Sequence, residues 1–215
     1  MKINKEKLVL SVESELGSGG GAVAEALARA LKVRCFAEEI IDEAAKLSWI
    51  PRKLLKRYEE KRVRHAYDLT ADSEDEMRIA PEPYFFAAQI AACRELAEQG
   101  PCVLVDHHSN TALSDKEDHI GIFVHADRED RMRSFAFENG VDPDKVARRF
   151  IRADRERTRY FKTVAPQWGR ASNYDLTVNA SGKTPEVVAG HIVEYLETVT
   201  EESLVHPTLA QKRSA

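Results

Sequence analysis

Three groups of residues in this sequence have types and spacings suited to handling phosphate. The first is Gly17-Ser18-Gly19-Gly20-Gly21, which follows the apolar run Leu8–Val12 and leads at once into helically spaced Ala22, Val23, Ala26, Leu27, Ala30 and Leu31. Strand, glycine loop and helix in that order form a cradle for phosphate. Glycines let successive backbone N–H groups converge on an anion, since a Cβ would block the approach and the positive-φ conformers. The helix dipole adds roughly half a positive charge at the same point. The commoner loop, G-x-x-x-x-G-K-[ST], adds a lysine on the β/γ-phosphates and a hydroxyl on Mg²⁺. Here Ser14 stands at the first glycine, Gly20 at the lysine and Gly21 at the hydroxyl. The backbone half of the chemistry is kept and the side-chain half is absent. A turn without a ligand is the other reading of such a run.

The second group is Arg148, Arg149, Arg152, Arg155, Arg157 and Arg159 in a helically spaced segment that also carries Asp154 and Glu156. At 3.6 residues per turn Arg148, Arg152, Arg155 and Arg159 share one face, with Arg149 beside them and Arg157 pointing elsewhere. Several bidentate donors on one face suit a triphosphate or a transferring phosphoryl group. A solvated basic helix face is the alternative. The third group is the apolar run Val103-Leu104-Val105 ending in Asp106, with His107 and His108 directly after it. A carboxylate at a strand end is placed as a Mg²⁺-positioning group is, and strand C-termini form the ligand crevice of a parallel sheet. Adjacent histidines on a strand end point to opposite sides, which argues against one shared metal. A histidine contacting phosphate or substrate, His107, is one reading of this pair, and a surface loop pair is the other.

The elements that must position these groups alternate. Apolar runs at Leu8–Val12, Val33–Phe36, Cys102–Asp106, Ile120–His125 and Asp175–Asn179 read as strands. Between and after them Gly20–Leu31, Glu38–Leu47, Pro51–His65, Tyr84–Gln99, Arg128–Asn139, Pro143–Tyr160 and Pro185–Val199 have helical spacing. Near-continuous apolar strands alternating with helices predict a parallel sheet covered on both faces. Gly100-Pro101 stops a helix. Gly182-Lys183-Thr184 resembles a phosphate loop, but Thr177 occupies the first glycine position and the segment follows the last strand. It reads as a helix start capped by Ser181 or Thr184 with Pro185 in the first turn.

The 215 residues, 43% hydrophobic and 32% charged, fit one globular domain. A net charge of −4 gives no general attraction to nucleic acid. Cys35, Cys93 and Cys102 form no CxxC pair and read as reduced thiols of a cytoplasmic protein. The N-terminal apolar run lasts only about five residues, too short for a signal peptide or a membrane span. Asp68–Pro83 reads as a loop or hinge, and Leu204–Ala215 as a flexible tail. The apolar face of Tyr84–Gln99 serves either the core or a homodimer contact.

The chain resembles the cytidylate kinase-like family, relatives of the P-loop nucleoside monophosphate kinases, from Leu8 to about Leu196. The family loop I-S-R-x-Y-G-S-G-G-R-E-I-A corresponds to Val12-Glu13-Ser14-Glu15-Leu16-Gly17-Ser18-Gly19-Gly20-Gly21-Ala22-Val23-Ala24. That family also lacks the lysine, and its two loop arginines are Ser14 and Gly21 here. Its P-C-V-I-V-G-R corresponds to Pro101–His107, so G-R becomes Asp106-His107. Phe123–Arg131 matches the fourth strand and next helix. The set D-K-x-R-x-x-Y, W-G and N-Y-D-L matches Asp154–Tyr160, Trp168-Gly169 and Asn173–Leu176, with Asn179 following.

The resemblance implies a three-layer α/β P-loop NTPase fold: a five-stranded parallel sheet with helices on both faces and a helical lid. It implies one domain over 1–203, with an acceptor flap near 50–83 and a lid near 143–172. The implied activity is transfer of the ATP γ-phosphoryl to a nucleoside monophosphate, CMP-like, with Mg²⁺ and small-molecule nucleotides as partners. Gly17–Gly21 would cradle the phosphates, with Lys183 near the nucleotide base. Arg148, Arg152, Arg155 and Arg157 would close over the phosphates, and Asp154 would orient an arginine or a water. Arg57, Arg62 and His107 would face the acceptor, and Asp106 would hold Mg²⁺ through water. The substitutions at Ser14, Gly20, Gly21 and His107 keep a second reading open: a degenerate member that binds or senses a nucleotide without turnover.

Overall fold

The computed structural model describes residues 6–56, 82–140, 142 and 146–201. Five parallel strands, β1 (Val9–Ser14), β2 (Arg34–Phe36), β3 (Cys102–Val105), β4 (His119–His125) and β5 (Leu176–Asn179), pair in the order β2-β3-β1-β4-β5. Each coincides with an expected apolar run to within two residues at either end. β1 extends two residues beyond its run, because Glu13 and Ser14 go on pairing with Phe123 and Val124 of β4. The helices are α1 (Gly20–Leu31), α2 (Glu38–Ser48), α3 (Glu82–Glu98), α4 (Ser109–Ala112), α5 (Arg128–Glu138), α6 (Val146–Val164) and α7 (Pro185–Glu201), with a further helical stretch at 52–56.

Alternation along the strands feeds two cores. Val9, Phe36, Cys102, Leu104 and Phe123 pack with α2, α3 and the C-terminal part of α6. Leu10, Val12, Val103, Val105, Ile120, Ile122 and Val124 pack on the opposite face, against α1 and α7. A smaller cluster, Phe135 and Ala136 of α5 with Val146, Phe150 and Ala153 of α6, takes in Leu16 of the glycine loop. It ties the arginine-rich helix to that loop.

The strand order makes β1 the switch point. The chain leaves β1 toward β2 on one side, then crosses from β3 over β1 to β4 on the other. Crevices open at the C-terminal ends of strands at such a point, and the glycine loop begins there. Asp106, His107 and His108 follow β3 with φ of 56°, 51° and 61°. Three successive left-handed residues without a glycine carry roughly 1–2 kcal/mol of strain each. No sequence pattern announced this turn or the short α4 behind it.

Beneath the crevice a buried polar network joins β1, α4, β4 and the approach to β5. Ser11 Oγ lies 2.7 Å from His119 Nε2 and 3.4 Å from Asn110 Oδ1. Asn110 Nδ2 donates to the Asn173 carbonyl at 3.0 Å, and the Gly121 N–H donates to Asp175 Oδ2 at 2.8 Å. A Cβ on Gly121 would lie 2.0 Å from Asn110 Oδ1. Gly121→Ala is therefore expected to lower stability by about 1–3 kcal/mol through overpacking. Urea unfolding checks this, and a loss under about 0.5 kcal/mol, the range of an inert surface change, would contradict it.

Candidate active site

The site is built on the end of β1. Gly17 and Gly19 take φ of 75° and 78°, and Gly19 caps α1 in the left-handed region. The first bond of the α1 ladder runs from the Val23 N–H to the Gly19 carbonyl at 3.0 Å. The N–H groups of Gly20, Gly21 and Ala22 therefore lie ahead of the ladder, at the positive end of the helix dipole. Ser18 is turned inward. Its hydroxyl is 2.8 Å from the Glu15 carbonyl and 3.2 Å from that of Val124, and its N–H donates to Glu15. Ser18 shapes the loop with its side chain and offers nothing outward from it.

The missing lysine has a steric counterpart. A Cβ on Gly20 would lie 2.2 Å from Ser14 Cβ and 2.4 Å from Ser14 Oγ. With serine at 14, position 20 admits no side chain. At Gly17 a Cβ would lie 2.4 Å from the Arg131 carbonyl, so α5 presses on the loop from the other side.

Two arginines grip the loop. Arg131, 7% exposed, donates from Nη1 to the Leu16 carbonyl at 3.2 Å. It also pairs with both Asp154 oxygens, at 2.7 and 3.3 Å. Its Nε is 3.2 Å from Glu15 Oε2 without hydrogen-bond alignment, and its guanidinium lies 5.2 Å from the Phe150 ring centre. Arg157 donates from Nε and Nη2 to the Ser14 carbonyl at 3.1 and 3.0 Å, and from Nη2 to Asp106 Oδ1 at 2.9 Å.

This reverses the expected geometry of the arginine helix. Phe150, Ala153, Tyr160 and Phe161 are its buried residues near the site, and Arg157 lies in the middle of that stripe. Arg148, Arg152, Arg155 and Arg159 are exposed, about half a turn away, and are not brought to the loop. Arg152 pairs with Glu156 on that outer surface at 3.3 Å. The face with the most arginines is the face that apolar packing leaves to solvent. Asp154 does orient an arginine, but it is Arg131 of α5.

The remaining expected residues fall as follows. The Lys183 ammonium donates to the carbonyls of Asn179 and Ser181 at 3.1 and 3.2 Å, within its own turn. Thr184 Oγ1 accepts the Val187 N–H at 3.4 Å, the helix cap that the residue pattern suggested. His107 is buried, with Nδ1 3.5 Å from Gln89 Nε2, while Gln89 Oε1 accepts the Tyr160 hydroxyl at 2.9 Å. His108 is fully buried, its ring 5.1 to 5.2 Å from those of Phe86, Tyr160 and Phe161. Arg57 and Arg62 lie outside the described residues. Arg52 pairs with Glu38 and Asp42, and Lys56 with Glu38, all near α2. Asp106 meets a guanidinium rather than a metal, Gly21 carries no hydroxyl, and no cluster of three metal-ligating side chains occurs among the described residues. These donors do not fit a protein-held Mg²⁺.

Glu13 carries the same sequence signal as Asp106, a carboxylate ending an apolar run. It is 1% exposed. Oε2 accepts the Tyr174 hydroxyl at 2.6 Å, and Oε1 accepts the Asn110 N–H at 3.4 Å. Burial first, then the neighbouring Asp106 charge, raise its pKa to about 7, against the lowering effects of Tyr174, Asn110 and Arg157. The same burial and the Glu13 charge push the Tyr174 phenol up. Tyr174 also receives the Gly169 N–H at 3.4 Å, and Trp168 stacks on Phe161 at 4.9 Å. The W-G and N-Y-D-L motifs thus brace β1, β4 and α6 against one another. Arg131 gave no signal of its own in the sequence.

A model of the cytidylate kinase-like family matches residues 9–182. The chain belongs to that family. No curated protein sequence matches it. Among solved structures, an uncharacterized protein from Eubacterium ventriosum superposes with a TM-score of 0.64 at 18% identity, covering 89% of this chain and 99% of that one. A shikimate kinase from Bacteroides thetaiotaomicron gives 0.54 at 13%, covering 88% and 98%. A gluconokinase from Sinorhizobium meliloti gives 0.54 at 14%, covering 92% and 96%. At these identities the likeness is one of fold, the α/β kinase fold.

Two measurements test the electrostatics. Arg131→Met, which leaves Asp154 unpaired in a half-buried site, is expected to cost about 3–5 kcal/mol in urea unfolding. Arg152→Ala, which breaks an exposed helix pair, should cost under about 0.5 kcal/mol. Equal losses would contradict the burial argument. The Glu13 carboxyl binds its proton more tightly folded than unfolded, so its stabilising contribution is full below about pH 4.5 and lost as pH rises to about 7. Over that window it removes up to about 3 kcal/mol. Stability against pH should fall less steeply in Glu13→Gln than in the parent, and parallel curves would refute the assignment.

Proposed function

We propose that this member of the cytidylate kinase-like family is a nucleotide-dependent phosphotransferase acting on a small molecule. The observation that carries the reading is the glycine loop at the switch point: Gly17 and Gly19 in left-handed conformations, with unladdered N–H groups of α1 at the C-terminal end of β1. Support comes from the family and from neighbours of the same fold that are named as shikimate kinase and gluconokinase. The bond from the γ-phosphorus to the bridging oxygen of ATP breaks, and ADP leaves. The phosphoryl passes to an acceptor oxygen near the ends of β1 and β3: a phosphate oxygen of CMP, or the hydroxyl of a nucleoside or polyol, whose proton goes to solvent. Such transfer asks the protein for positioning and charge neutralisation more than for covalent chemistry.

In this reading backbone N–H groups of Gly19–Ala22 hold the phosphates. Arg157 is the α6 arginine placed to meet developing charge. Mg²⁺ would come with ATP rather than be held by the described side chains, and would supply neutralisation of phosphate charge. Gln89, Tyr160 and His107 supply polar atoms on the acceptor side. CMP, the acceptor suggested by the family, is the first to assay. No described helix is long and apolar enough to cross a membrane.

A second reading, binding without turnover, is favoured by Gly20, which has no room for a lysine, and by Arg157, which is already paired with Asp106. Losing one cation that stabilises the transition state costs on the order of 10²–10³ in rate.

Thermal shift and coupled ADP release separate the two. ATP·Mg²⁺ at about 100 times Kd should add roughly 2.7 kcal/mol of stability, and Gly19→Ala, which places a Cβ at φ 78°, should abolish the shift. ADP release is expected with at least one of CMP, cytidine, shikimate or gluconate. ATP binding without release for any acceptor would transfer the assignment to the second reading, and no ATP binding would refute both.

A further inference from the structure

Arg157 lies in the middle of the packed stripe of α6, and its guanidinium is already engaged by a carbonyl and a carboxylate at the ends of β1 and β3. Nε and Nη2 donate to the Ser14 carbonyl, and Nη2 also donates to the Asp106 carboxylate. A guanidinium presents the same fork of donors to carboxylate and to phosphate. A carboxylate fixed on it therefore competes with any phosphate brought to the same place, without the entropy cost of a second molecule.

Asp106 is held there against its own backbone preference. It sits at φ 56°, the first of the three left-handed residues. The turn is pinned by His108 among Phe86, Tyr160 and Phe161, and by the Ser109 N–H donating to the Asp106 carbonyl at 2.9 Å. Glu13 adds a second carboxylate behind the pair. Around the loop, Arg131 is matched by Asp154 and Glu15 in the same manner. Among the described residues, both arginines that reach the glycine loop are thus already paired with carboxylates.

We propose that Asp106 is a specificity-determining residue: its carboxylate takes the place of a ligand phosphate on Arg157. The crevice consequently favours an acceptor that presents a hydroxyl without an adjoining phosphate, a nucleoside or polyol rather than a nucleoside monophosphate. The word acceptor rests on the kinase reading above. The competition for Arg157 does not.

The test is calorimetric, with pyrophosphate as the probe in metal-free buffer. Asp106→Asn keeps the shape and suits positive φ as well as aspartate does. Asp106→Gly relieves the strain altogether. Both are expected to bind pyrophosphate about tenfold or more tighter than the parent, the effect of freeing one charge-assisted hydrogen bond. The gain should vanish when Arg157→Gln is already present. It should also be small in Glu15→Gln, which removes an equal charge beside Arg131. CMP affinity should rise relative to cytidine in Asp106→Asn.

No gain in either Asp106 variant overturns the proposal. So does an equal gain in the Arg157→Gln background or in Glu15→Gln, since both would show a general field effect. Failure of the kinase reading would appear elsewhere, as absent ADP release in the parent protein.

Discussion

The arrangement of the site follows from the need to balance charge at the end of β1 without a lysine. Among the described residues, each arginine that touches the glycine loop is matched to a carboxylate: Arg131 to Asp154 and Glu15, Arg157 to Asp106. A buried guanidinium left alone would be strongly destabilising, and its pairing limits that cost. The same pairing fixes geometry. Arg131 ties α5 to α6 across Leu16, and Arg157 ties α6 to the ends of β1 and β3. The helix that the sequence marks as a lid is docked by these two clamps and by the aromatic contacts behind them.

Apolar periodicity made the sheet and most of the helices legible. Val9–Val12, Cys102–Val105 and Ile120–Val124 are buried on both faces, so their runs are nearly unbroken. Thr184 at the start of α7 is legible from capping chemistry. The arginine-rich face of α6 differs from the packed face for a physical reason. Charge draws attention to Arg148, Arg152, Arg155 and Arg159, but burial decides orientation. Phe150, Ala153, Tyr160 and Phe161 form the stripe that faces inward, and Arg157 lies among them at the same spacing. Counting apolar positions before cations would have singled out Arg157.

Other parts of the site could not be read at all. A left-handed turn is normally announced by glycine or asparagine, and Asp106-His107-His108 contains neither. Its conformation comes from tertiary contacts, the Arg157 pair on one side and three aromatic rings on the other. Arg131 closes the segment Phe123–Arg131 that matches the family, but its role is defined only by what surrounds it, Leu16, Glu15 and Asp154. The meaning of N-Y-D-L emerges only in space. Asn173 offers its carbonyl to Asn110, Tyr174 its hydroxyl to Glu13, and Asp175 its carboxylate to Gly121.

The pair Ser14 and Gly20 shows why the departures from the common phosphate loop belong together. Serine at 14 fills the volume that a Cβ at 20 would need, so a lysine could return only if that serine shrank or moved. With the lysine excluded, the donors that the described residues bring to the loop are backbone N–H groups and Arg157, which Asp106 already engages. Backbone donors at a helix N-terminus are fixed, uncharged and insensitive to pH. They hold an anion without adding a full charge to a crevice where Glu13 and Asp106 already lie close. Among the described residues, the end of β1 therefore presents uncharged donors beside guanidinium groups that carboxylates already hold.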